Sequence, residues 1–221
     1  PLQHATSYVK SWSDQNGMIL NASKTTAITF SLRKTIQSDS IMINETPIQE
    51  LSTAKLLGVV YDQHLTFSHQ IDNVLGKAAP SFHALVQLKR AGVNSAGLLA
   101  FYKSRIVSVL SYGAPAWFPH ITKHAKERLS RYEKLCLKII YPSSDSYDDR
   151  LAASGLTDII STLDMMCLKY VTKVKQNPNH PLNTTKYFPV SPVKARTTRY
   201  RPSSRKYRTA LFKSSLFFRY A

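Results

Sequence analysis

Most of the side chains in this sequence that could do chemistry are cations. The exceptions are few. Asp148-Asp149 is the one pair of adjacent carboxylates, the arrangement that can hold metal ions for phosphoryl transfer. It follows a Ser/Pro break and opens a short apolar run, so a solvated or helix-capping role is expected. Two histidine pairs, His64 with His69 and His120 with His124, lack cysteine or carboxylate partners at ligand spacing, so no metal site is expected. The seven glycines stand singly and form no phosphate loop. Cys136 and Cys167 fall on apolar helix faces and read as reduced core residues.

The cations have a clearer logic. Lys24 closes the turn Asn21-Ala22-Ser23-Lys24, and Lys55 enters the run Leu56-Leu57-Gly58-Val59-Val60-Tyr61-Asp62. Lys89-Arg90 ends an apolar periodic stretch. Lys126, Arg131, Lys134 and Lys138 lie along another, with Lys123 before them. Ammonium and guanidinium groups of this kind neutralise phosphate oxygens and fix register without reading base sequence. Each surface lysine taken alone reads better as a solvated helix residue.

The whole-chain charge favours the phosphate reading. Among 221 residues there are 30 Lys or Arg against 13 Asp or Glu, a net charge of +17. Such a surplus implies a polyanionic partner, first of all nucleic acid. It is uneven, because no acidic residue follows Asp164. No apolar run approaches the length of a membrane span and no signal peptide is evident. An intracellular protein is expected, in nucleus and cytoplasm, with no membrane partner.

The elements that must carry these cations change in kind near residue 62. Before it, His4 to Gln15 has Ala5, Tyr8, Val9 and Trp12 at helical spacing and stops at Asn16-Gly17. This helix is expected to bury Tyr8 and Trp12 against a sheet. Lys24 to Leu32 reads as a strand, and Ile41 to Ile48 as a hairpin turning at Asn44-Glu45-Thr46. Lys55 to Asp62 reads as one further strand with Gly58 midway, where a glycine marks a bulge or close backbone approach.

After residue 62 the apolar period becomes 3.6. One helix starts at Ser68 with Ile71, Val74, Leu75, Ala78, Phe82, Leu85 and Val86 in a stripe, a kink at Pro80, and an end at Arg90-Ala91-Gly92. A second starts near Ser95 with Leu98, Leu99, Tyr102, Ile106, Val109 and Leu110, followed by a docking turn around Trp117-Phe118. A third, from Thr122, carries Ala125, Leu129, Tyr132, Cys136 and Ile139 inward. A short helix and a last one follow, the last with Ile159, Leu163, Met166, Tyr170 and Val174. Lys186 to Arg208 is basic and polar without an apolar period and reads as a flexible arm, while Leu211 to Tyr220 reads as a short docking helix or the start of a further element. The expected class is α+β: short antiparallel strands with one helix over 1–62, a helical bundle over 63–180, and a basic arm over 181–221.

Together, Trp12, Met18, Leu20, Asn21, Lys24 and Thr25, then Lys55-Leu56-Leu57-Gly58-Val59 and Asp62, then Lys89-Arg90 with Gly92, and Tyr112-Gly113 with Pro115 and Trp117, resemble the reverse transcriptase of jockey-like non-LTR retrotransposons. The resemblance covers roughly residues 1–180. It implies the late palm for 1–62, with a primer-grip-like strand at Lys55 to Asp62, and the thumb for the helices. It also implies a Tyr-x-Asp-Asp motif ahead of Pro1, a lysine role near leaving pyrophosphate for Lys24, and magnesium for the complete polymerase, with no cofactor held by this chain. RNA template, DNA primer and the palm and fingers of the same polyprotein would be its partners. Lys55, Leu57 and Gly58 would meet the primer end, and Lys89, Arg90, Lys126, Arg131, Lys134 and Lys138 the phosphates. The other reading is a non-catalytic basic module that binds RNA, from a decayed or domesticated element.

Overall fold

The computed structural model describes residues 2–31 and 41–183. The chain separates into two compact units, Pro1–His69 and Gln70–Ala221. It mixes helices with short two-stranded sheets, compatible with an α+β class. The basic arm and the apolar segment expected from 186 onward lie outside the described residues.

In the first unit, α1 (Leu2–Gln15) ends where Gly17 takes φ 69°, with Met18 N donating to Ser13 O and Gly17 N to Asp14 O. This paired closure needs a left-handed residue, which glycine supplies without a Cβ clash. The helix meets β2 (Met42–Ile43) through its polar face. The Gln3 carboxamide donates to Met42 O and accepts from Met42 N, both at 2.9 Å, completing one edge of the strand as a neighbouring backbone would. The apolar stripe therefore faces away, and Tyr8 and Trp12 are 72% and 52% exposed. This corrects the expectation that they are buried within this unit.

Strand β1 is only Thr26–Ala27, shorter than the sequence suggested, and it pairs with β4 (Gln49–Glu50) in parallel. All-antiparallel pairing was expected. A parallel pair needs a long connection between its strands, and residues 28–48 provide it. Within that connection β2 and β3 (Thr46–Pro47) form the expected hairpin, with Asn44 at φ 47° and Glu45 at φ 63°.

The second unit is helical. Helix α2 (Ser68–Arg90) continues through Pro80 and ends at Gly92, φ 83°, in the same paired closure as α1. Next come α3 (Ser95–Phe101), a π-turn over Tyr102–Val107, and α4 (Ser108–Ser111), where one regular helix was expected. Helix α5 (Ala114–Trp117) and a 3-10 turn (Phe118–His120) place Trp117 and Phe118 fully inside, with Trp117 Nε1 donating to Tyr112 O at 2.9 Å. Then follow α6 (Lys123–Ile140), α7 (Tyr147–Ser154) and α8 (Ile159–Gln176). Helix α6 packs on α3, α7 and α8, and α8 also packs on α5 and the 3-10 turn.

The core of this unit contains Ile71, Leu85, Leu98, Ile106, Leu110, Trp117, Phe118, Leu129, Leu137, Ile140, Leu163 and Val171, all fully buried. Each buried large apolar side chain is worth roughly 1.5–3 kcal/mol, so the bundle rests on this interior. Two stripes are rotated from their expected positions. On α8 Cys167 and Val171 point inward, while Met166 is an exposed residue. On α6 Glu133, Leu137 and Ile140 take inward positions and Tyr132 and Ile139 stand at the margin. Among the described residues no single helix is long and apolar enough to cross a membrane.

Candidate nucleic-acid interface

The octapeptide at Lys55 is a hairpin. Strand β5 (Thr53–Leu56) pairs antiparallel with β6 (Val59–Asp62) in the register Thr53↔Asp62, Ala54↔Tyr61, Lys55↔Val60 and Leu56↔Val59. Leu57 and Gly58, at φ 47° and 85°, make the two-residue turn. Positive φ at both central positions matches the right-handed strand twist, so the glycine serves the chain reversal and the expected single strand is corrected. At the tip Leu56 and Leu57 are 62% and 84% exposed and Lys55 is exposed. The fold thus brings Lys55, Leu57 and Gly58 together on one projecting loop.

The base of the hairpin is anchored. Tyr61 stacks edge-on with Phe30 and Phe67, at 6.4 and 5.6 Å between ring centres. Asp62, which is buried, accepts from the backbone N–H of His64, Thr66 and Phe67 at 3.1, 3.0 and 2.7 Å, and from the Thr66 hydroxyl at 3.2 Å. Burial alone would raise its pKa, but these four donors outweigh it and hold the carboxyl below its ordinary value. Leu65 and Phe67 within this loop stand at φ 53° and 56°, a region that L side chains rarely adopt. His64 is committed here too, with Nδ1 2.8 Å from Ser31 O. Nothing in the spelling of the sequence marks Asp62 as this anchor, because its donors are backbone groups.

Lys24 ends a 3-10 turn (Ala22–Lys24) closed by Asn21, whose side chain accepts from Lys24 N and the Ser23 hydroxyl at 3.2 and 2.7 Å. The turn leaves the Lys24 side chain exposed.

In the helical unit, Arg131, Lys134 and Lys138 are three and four residues apart on α6 and share its exposed face. Lys126 does not join them. It is half-buried on another flank, its Nζ 4.9 Å from the centre of the Phe118 ring. Lys134 stays exposed while reaching over the Tyr147 ring, also at 4.9 Å. Lys89 and Arg90 occupy the last turn of α2, half-buried and exposed respectively.

Behind the α6 face lies a polar node that sequence reading missed. Glu133 is 1% exposed and accepts from Tyr102 OH at 3.3 Å, Tyr147 OH at 2.8 Å and Ile159 N at 2.9 Å, linking the π-turn, α7 and the start of α8 to α6. Burial raises its pKa, and the three donors offset that only in part. Burial also pushes the neighbouring Cys136 thiol up to about 12, so it is inert at neutral pH. A glutamate flanked by Tyr132 and Lys134 looks like a surface residue, and only the packing reveals its role.

The one pair of adjacent carboxylates, Asp148-Asp149, lies in the first turn of α7. Asp149 accepts from the Ser146 backbone and hydroxyl as a capping box for α7. Among the described residues no group of three or more His, Cys, Asp or Glu is placed to hold a metal ion.

No family model matches the chain, and no solved structure matches it. A Drosophila melanogaster protein described as a probable RNA-directed DNA polymerase from transposon X-element is 26% identical over 117 residues. The match covers 52% of this chain and spans 13% of the Drosophila protein's length. That similarity, falling on a chain with a projecting hairpin and a cationic helix face, supports a relationship to the reverse transcriptases of retrotransposons.

Proposed function

We propose that this chain is the late palm and the thumb of a non-LTR retrotransposon RNA-directed DNA polymerase, and that it positions RNA template and DNA primer. The observation that carries the reading is the hairpin tip, where an exposed leucine is held in a backbone conformation that favours glycine. Strain of this kind clusters at functional sites. Lys55 stands on the same tip, and the absent side chain of Gly58 lets a nucleic-acid backbone approach closely. Arg131, Lys134, Lys138, Lys89 and Arg90 contact phosphates, with Lys126 in a supporting place against Phe118. Lys24 neutralises charge near the leaving group in the complete polymerase. The palm and fingers of the same polyprotein supply the metal-binding carboxylates, and the protein works in cytoplasm and nucleus. The second reading, a non-catalytic RNA-binding module, draws on the +17 charge alone and assigns the hairpin no role.

Binding of the chain to a labelled RNA–DNA hybrid across a salt series tests the phosphate contacts. Log affinity should fall linearly with log salt, and Arg131→Ala/Lys134→Ala/Lys138→Ala should reduce the slope by about 2–3. An unchanged slope refutes those contacts. Equal binding to structured RNA and to hybrid, unaffected by Leu57 substitution, supports the module instead.

A further inference from the structure

The π-turn presents cations that no motif marks. Leu98, Tyr102, Ile106 and Leu110 recur at every fourth residue and all are 0% exposed. In a regular α-helix of 3.6 residues per turn, each four-residue step overshoots by about 40°, so three steps would carry Leu110 roughly 120° from Leu98. The wider π-turn over Tyr102–Val107 absorbs that drift and keeps all four side chains inside. Its consequence is on the outside, where Lys103, Ser104 and Arg105 are all exposed.

The hydroxyls of this stretch are turned back on the helix. Ser104 Oγ donates to Phe101 O at 3.2 Å and Ser108 Oγ to Ser104 O at 2.6 Å, so carbonyls of the distorted turn gain partners. Lys103 and Arg105 are left as the outward donors, one on each side of a small serine. No Asp or Glu occurs between Asp72 and Glu127. The ion pairs among the described residues are Lys10–Asp14, Lys123–Glu127 and Arg128–Asp72, and neither π-turn cation takes part in one.

We infer that Lys103 and Arg105 form a phosphodiester-backbone contact site in which a nucleic-acid strand crosses the π-turn over Ser104. Two cations that diverge from a short residue suit successive phosphates of a chain better than one small anion, which would need converging donors. The Arg105 guanidinium can take two oxygens of one phosphate while Lys103 supplies a point charge to the next. The inference rests on the proposal that the partner is nucleic acid, and it is independent of the hairpin.

The test uses the full chain and the RNA–DNA hybrid. Lys103→Ala/Arg105→Ala should reduce the salt slope by about 1.4–1.8 and weaken binding at low salt, whereas Lys77→Ala/Lys169→Ala, with the same charge change, should leave the slope nearly unaltered. Hybrid should also protect Lys103 from an amine-acetylating reagent several-fold more than Lys77. An unchanged slope in the Lys103/Arg105 variant, with the Arg131/Lys134/Lys138 variant still losing slope, overturns this site and spares the wider reading. Equal losses in the two double variants reduce the effect to net charge and overturn it as well. No hybrid binding by the unaltered chain overturns both, as does binding through Lys103 and Arg105 to phosphatidylserine vesicles alone.

Discussion

Replacing Leu57 by asparagine should make the hairpin more stable and less useful. A non-glycine residue at φ 47° costs about 1–2 kcal/mol, whereas asparagine tolerates this region and Asn-Gly is a preferred pair for a two-residue hairpin turn. The chain itself places Asn44 at the equivalent position of the β2–β3 turn, at the same φ of 47°. Little packing is at stake, since Leu57 is 84% exposed and about a sixth of the ~2 kcal/mol of a buried leucine comes to roughly 0.3 kcal/mol. The net expectation is a gain near 1 kcal/mol. Amide exchange at Ala54 and Tyr61, a hydrogen-bonded pair of the ladder in step with the Gln63 N to Ser52 O bond at its base, should slow by about fivefold when opening of the hairpin governs it. Hybrid binding with a recessed primer end should weaken several-fold in the same variant. Glu45→Gly, which relieves φ 63° in the other turn, should stabilise without altering binding. If Leu57→Asn binds the hybrid as well as the unaltered chain, the functional account of the tip is wrong. Faster exchange would refute the strain argument itself.

Two further predictions concern buried carboxylates. Glu133→Ala leaves the Tyr102 hydroxyl and Ile159 N–H without their acceptor, at about 1–3 kcal/mol each, so urea unfolding should show a loss of roughly 2–6 kcal/mol, whereas Glu133→Gln should recover most of it. Because burial raises the Glu133 pKa above 4.5, its contribution is full below that value and declines as pH rises through the folded pKa; Glu133→Gln should flatten this arm of the stability profile, and an unchanged profile would refute the account. Asp62 has the opposite sign: its pKa lies below 3.8, so its contribution holds above that value and is lost as pH falls through the folded pKa. Asp62→Asn should abolish this acid-side loss and raise the exchange rates of the Thr66 and Phe67 amides, and rates equal to those of the unaltered chain would show that the carboxylate does not hold the loop.

Local rules made much of the chain legible. Gly17 and Gly92 mark helix ends because those closures need a left-handed residue, and the Asn44-Glu45 turn can be read from its position between short β-type runs. The apolar periods of α2, α6 and α8 announce helices, since one face of each must leave water. The cationic character of Lys55, Arg131, Lys134 and Lys138 follows from composition alone.

What the sequence left open depends on contacts between distant residues. Lys55 to Asp62 has one composition as a strand and as a hairpin, and pairing of β5 with β6 decided it by forcing Leu57 and Gly58 to positive φ. Tyr8 and Trp12 have the spacing of a buried stripe, yet the match of Gln3 to the Met42 backbone turned the polar face of α1 toward β2. Lys126 has the same side chain as Lys134, but it packs on the Phe118 ring and is half-buried where Lys134 stays exposed. Glu133 became a core residue because Tyr102, Tyr147 and the first amide of α8 converge on it. Sequence thus determined which residues seek water or a counter-charge. Tertiary structure decided which of them meet, because burial and pairing depend on the whole chain's arrangement and not on neighbours in the sequence.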